Sequence, residues 1–118
     1  MRGLILLLAF MSACAHHKGP IVPAEKFAVV VINHHWLDVD VYLLRSGQRI
    51  RLGTVSATTT QEFLVEDRLL GSSRQIALLG EAIGSHEAVR TEALSLQPGQ
   101  YVEWTLENTL RRSSVAVY

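Results

Sequence analysis

Leu37-Asp38-Val39-Asp40-Val41-Tyr42-Leu43-Leu44 and Gln48-Arg49-Ile50-Arg51-Leu52-Gly53-Thr54-Val55, joined through Arg45-Ser46-Gly47, decide the fold of this 118-residue chain. Apolar and polar residues alternate in both stretches, and a period of two belongs to a strand with one face covered. Leu37, Val39, Val41 and Leu43 share the face that turns inward, with Asp38, Asp40 and Tyr42 opposite. Ile50 and Leu52 answer them from the second stretch, Arg49 and Arg51 face solvent, and Ser46-Gly47 makes the turn of a hairpin. The registers that keep both inward rows together set either Asp40 or Tyr42 opposite Arg51.

Outward from the hairpin the same grammar continues. Phe27 to Asn33 is a nearly unbroken apolar run, which predicts a strand covered on both faces. Thr59 to Val65 reads as a weaker strand with Phe63 and Val65 on one face, and Arg74 to Leu79 as another through Ile76 and Leu78. Gly80 to Ala93 is ambiguous: Ser85 could cap a helical turn through His86-Glu87-Ala88-Val89, so residues 85–94 are left as helix or strand. Gln97-Pro98-Gly99-Gln100 has proline before glycine, a type II turn signal, and predicts a second hairpin between Leu94-Ser95-Leu96 and a strand with Val102, Trp104 and Leu106 inward. Ser114 to Tyr118 closes the sheet through Val115 and Val117. No long 3.6-residue period appears. The expectation is an all-β, antiparallel β-sandwich of about seven strands over residues 26–118.

Four stretches carry a resemblance: Val-x-Asn ending at Asn33, Asp-Val-x-Val-Tyr-Leu at Asp38 to Leu43, Arg-Leu-Gly-Thr-Val at Arg51 to Val55, and Leu-x-Pro-Gly-x-Tyr at Leu96 to Tyr101. They are similar to the small immunoglobulin-like or PEGA-like sandwiches of bacterial envelope lipoproteins. The matching positions are turn and core residues, so the resemblance implies a fold and no activity.

The start of the chain has a different character. Arg2, the apolar run Leu4 to Met11 and the small residues before Cys14 have the layout of a targeting segment, and the run is too short to span a bilayer, which takes roughly 20 residues. Met11-Ser12-Ala13-Cys14 resembles the cleavage box of a bacterial lipoprotein signal. That resemblance implies removal of residues 1–13, a diacylglycerol on the Cys14 sulfur and attachment to a membrane through it. With Ala15 after the cysteine, the same resemblance implies the outer membrane, with the domain facing the periplasm. Ala13-Cys14-Ala15 also satisfies an Ala-x-Ala cut, which would leave a secreted soluble protein. Residues 14–25, with His16, His17, Pro20 and Pro23, read as a flexible tether.

Eleven basic and eleven acidic residues balance, and removal of Arg2 leaves ten basic residues. This is not the footprint of a nucleic-acid binder, and no run of lysines or arginines would dock the body onto anionic lipid. Cys14 is the sole cysteine, so no disulfide staple is available.

Candidate chemistry is sparse. His34 and His35 are adjacent, and neighbours in a strand point to opposite faces, so they do not converge on one metal ion. His86-Glu87-Ala88-Val89-Arg90 opens like a zinc-protease helix but has arginine where the second histidine is needed. Asp38 and Asp40 could pose as paired catalytic carboxylates, but beside Arg49 and Arg51 they read as a solvated charge ladder. Gly71-Ser72-Ser73 lacks the Gly-x-Ser-x-Gly elbow. No metal or other cofactor is implied. Trp104 shares a face with Val102 and Leu106 and reads as core, whereas Trp36, together with the adjacent His34 and His35, makes up the candidate binding residues. The sequence thus points to a lipid-anchored, non-catalytic structural or protein-interaction module, with a carbohydrate- or small-ligand-binding sandwich as the alternative.

Overall fold

Six consecutive apolar residues, Phe27 to Ile32, predict cover on both faces. In the computed structural model, which describes residues 19–118, the strand they form is central and its core face is buried. Val30 and Ile32 on the other face are only partly buried, because a two-layer fold covers one face of each sheet. This strand is β1 (Lys26–Asn33), set between β4 (Thr60–Glu66) and β8 (Tyr101–Leu106), with β9 (Ser114–Val117) beyond β8. The second sheet runs β3 (Gln48–Val55), β2 (Val39–Arg45), β5 (Gln75–Ala82), β6 (Ala88–Arg90), and the two-residue β7 (Leu94–Ser95) pairs with the start of β5. Phe27, Val29, Val31, Phe63, Val102 and Trp104 from the first sheet meet Val39, Val41, Leu43, Ile76 and Leu78 from the second in one core. The described residues are therefore all-β and two-layered, as the alternation predicts. No helix among the described residues is long and apolar enough to cross a membrane.

The described strands number nine, and they are not all antiparallel. β1 and β8 run parallel, from Ala28 beside Tyr101 to Asn33 beside Leu106. The expected second hairpin is absent for the same reason. The Gln97–Gln100 turn forms, with Gly99 at φ 84° and a Gln100 N–H to Gln97 carbonyl bond of 3.1 Å, but β7 pairs with β5 while β8 pairs with β1 and β9. A turn motif dictates a reversal and does not choose the sheet. Here it carries the chain across the sandwich, delivering β8 to the edge of β1 that β4 leaves open.

Residues 85–94 contain no helix. Ala88–Arg90 pairs with Leu79–Glu81, and the Ser85 hydroxyl accepts from the Glu87 N–H within a tight turn.

The first hairpin forms around Ser46 and Gly47, both at positive φ, and Tyr42 lies opposite Arg51. Past that pair the register shifts, setting Val41 opposite Gly53 and Val39 opposite Val55. A single register would turn either Ile50 or Val55 outward, because they have opposite parity. The bulge at Leu52 brings both to the core. Gly53 has a second reason to be glycine: a Cβ there would come within 2.8 Å of the Phe63 ring from the other sheet.

Strand directions sort the connections into two ends. The segments 34–38, 56–59, 83–87 and 107–113 gather at one, called here the distal end. At the other, the entry end, lie the arriving chain, the Ser46-Gly47 turn, the 3-10 turn Asp67–Leu70 and the Gln97–Gln100 turn. Asp67 N–H donates to the Glu25 carbonyl at 2.8 Å, and the Asp67 carboxylate takes two 2.9 Å bonds from Arg74. Arg74 also donates through Nε to the Leu96 carbonyl. Gly19 lies so close to Tyr101 that a Cβ would come within 2.6 Å of the ring. The stretch expected to be a signal segment, with Cys14, His16 and His17, lies outside the described residues.

Candidate functional site

Asn33 ends β1 with its side chain in the core, where an amide needs hydrogen-bond partners. Nδ2 lies within 3.1–3.2 Å of the Leu37, Val55 and Ser56 carbonyls, and Oδ1 accepts from the His35 N–H at 2.9 Å. One side chain thereby ties the β1–β2 loop to the end of β3 in the other sheet. His35 is wholly buried. Its Nδ1 accepts from the Leu37 N–H at 3.0 Å, so the ring proton sits on Nε2, which donates to Glu87 Oε1 at 2.9 Å. Glu87 Oε2 accepts from the Leu110 N–H at 2.8 Å. That backbone bond, and then the one from His35, hold the Glu87 carboxyl below the ordinary glutamate range. All four distal loops are joined through these three side chains.

Trp36 stands on this base. Its indole stacks on the His35 imidazole with centroids 6.0 Å apart and planes at 19°, yet 68% of the residue is exposed. Beside it, the Ile83 N–H donates to the Asp38 carbonyl at 2.8 Å, bringing the tip of the β5–β6 turn against the Trp36 loop. Ile83 is also exposed. His34 turns outward and meets Glu107 at 3.1 Å. Of the three candidate residues named from the sequence, His34 and Trp36 thus reach solvent and His35 does not. The histidines diverge, and among the described residues no three His, Cys, Asp or Glu side chains gather in a metal-binding group.

Of the pair, His35 is closed to solvent, whereas the Glu87 side chain remains 33% exposed. Both ring nitrogens of His35 are engaged, and the ring has no solvent-facing surface. The expected ladder of Asp38 and Asp40 is only half formed, because β2 starts at Val39 and leaves Asp38 in the loop. There Asp38 Oδ1 accepts from the Ala57 N–H. Asp40 bonds Arg51 at 2.9 Å and the Thr54 hydroxyl, and the Thr54 bond chiefly keeps its carboxyl below the usual range. Arg49 pairs with Glu81 and lies 3.9 Å over the Tyr42 ring. Trp104 is core: its indole fills the space above Gly80, where a Cβ would sit 3.1 Å from Cη2.

Asn33 and Glu87 were missed by sequence reasoning. Asn33 looked like an ordinary strand end. Glu87 lay in the segment left as helix or strand, 52 residues from the histidine it bonds.

No family model matches the chain, and no curated protein does. Among solved structures, the NMR structure of a protein from Eubacterium rectale resembles it with a TM-score of 0.50 and 18% identity, covering 80% of this chain and 87% of that one. The likeness is one of fold alone.

Proposed function

We propose that this protein is a membrane-anchored lipoprotein of the bacterial envelope, with lipid on Cys14, and that its sandwich is a non-catalytic structural or protein-interaction module. One observation carries the interaction reading: an exposed indole, Trp36, is mounted on a buried hydrogen-bonded base at the end of the sandwich opposite the arriving chain. Exposed tryptophans at the centre of a contact are frequent hot spots. A side chain on a loop already fixed by Asn33 and His35 loses little further freedom on binding.

The immunoglobulin-like or PEGA-like resemblance fits this role as a scaffold presenting loops, with the parallel β1–β8 pair as a departure from all-antiparallel sandwiches. The Met11-Ser12-Ala13-Cys14 box and Ala15 support outer-membrane attachment on the periplasmic side. The alternative, carbohydrate binding, draws on the same indole, which has one face on His35 and stands largely in solvent, where a sugar ring could stack.

A photo-reactive residue placed at Trp36 and, as control, at the exposed Glu62 of the full chain separates these readings in cells. The expected result is a discrete protein adduct from position 36 that position 62 does not give. Glycan adducts from position 36 would favour the alternative. Identical adducts from both positions, or none from position 36, would overturn the interaction reading.

A further inference from the structure

We infer that the entry end is a second membrane contact, in which Arg45 and Arg90 rest on the phosphates of the phospholipid surface that holds the acyl chains. The inference builds on the reading of Cys14 as the lipid-bearing residue.

The first argument is reach. Gly19 packs against Tyr101, the first residue of β8, at the entry end. Cys14 precedes Gly19 by five residues, and a fully extended chain covers at most about 3.6 Å per residue. The entry end is thereby held within about 18 Å of the acylated residue, close enough for side chains to meet headgroups.

The second argument is charge. Two adjoining depressions at this end, of about 200 and 280 Å³, share Leu44, Arg45, Ser46 and Arg90, and neither has an acidic residue in its lining. Arg49, Arg51 and Arg74 are each paired with a carboxylate. Among the described residues, Arg45 and Arg90 have no such partner, so their guanidinium groups are available to phosphate, which they match in two-pronged geometry. The Arg45 guanidinium lies against Gly71, whose missing side chain leaves it room: a Cβ there would come 3.2 Å from Nη2. Glu25, Glu66, Asp67 and Arg68 line a separate depression on the β4 side of the same end. Repulsion of those carboxylates from an anionic surface tilts the domain onto its Ser46-Gly47 side. The arginines lie far apart in sequence, and both line these depressions because β2 pairs with β5, and β5 with β6.

With Cys14 acylated, a cysteine introduced elsewhere is the sole free thiol. Gln48→Cys at the entry end and Asn108→Cys at the distal end, each carrying a fluorophore, would be reconstituted as full-length lipoprotein into vesicles of phosphatidylglycerol and phosphatidylcholine. Headgroup-attached nitroxide should quench the probe at position 48 several-fold more than the probe at 108. Arg45→Glu with Arg90→Glu should cut that difference to what the tether alone leaves, with the melting temperature unchanged, and phosphatidylcholine alone, whose choline offsets each phosphate, should lower it too. Equal quenching at the two positions, or a difference indifferent to charge reversal in a folded protein, would overturn the contact. So would binding of inorganic phosphate to the Cys14→Ser chain with the same loss on charge reversal, which would assign the arginines to a free anion. Failure of the anchor itself reads out separately, as a second reactive thiol and a protein that does not stay with the vesicles.

Discussion

Asn33 and His35 form a polar core within an apolar one, closed at its rim by the part-exposed Glu87, and their value lies in completeness. Among the described residues no buried side-chain nitrogen or oxygen lacks a partner. Asn33→Ala strips hydrogen bonds from four backbone groups at once and should cost on the order of 3 kcal/mol, the upper range for leaving buried groups unpaired; urea unfolding measures it, and a loss near zero would mean that water replaces the amide. Glu87 sets a pH dependence. Its folded carboxyl titrates below its ordinary value, as do those of Asp40 and Asp67. Such groups add stability above the ordinary carboxylate range, and it is lost as pH falls through that range into the depressed one. The melting temperature should therefore be flat near neutrality and fall on acidification, and Glu87→Gln should start lower at neutral pH and fall less steeply. Parallel curves for the two proteins would contradict the assignment. Little of this cluster was legible in the sequence. His34, His35 and Trp36 were visible as unusual neighbours, but which one turns inward depends on a glutamate supplied by another loop.

At the scale of elements, faces were readable and partners were not. Local alternation fixes which way Val39, Val41, Val102 and Trp104 point, and all four are buried as expected. The bulge at Leu52 was invisible because the reason for Gly53 is Phe63, a residue of the opposite sheet. Strand β6 was ambiguous because its residues favour helix, and pairing with β5 overrides that preference. The two-sheet core makes a coupled prediction. Trp104→Ala should cost about 3–5 kcal/mol. Gly80→Ala should destabilise the native protein by pressing on the indole, and the effect should shrink in a Trp104→Phe background, with a coupling on the order of 0.5–3 kcal/mol. Additive losses in that cycle would show that the glycine does not answer to the indole.

Across the whole molecule, chain entry and the Trp36 loops lie at opposite ends. Composition signalled neither end, since its charges balance overall and only folding gathers Arg45 and Arg90. Residues 19–118 contain no cysteine, so their stability rests on burial and hydrogen bonds. A melt should not shift with chelator or reductant, and a fall of several degrees on chelation would revive His34, His35 and His86 as ligands. The central claim is that one covalent lipid on Cys14 sets this polarity. Metabolic labelling with a fatty-acid probe tests it most directly: the native protein should carry the label and partition with membranes, and Cys14→Ser should do neither. Equal labelling of both proteins would contradict the account.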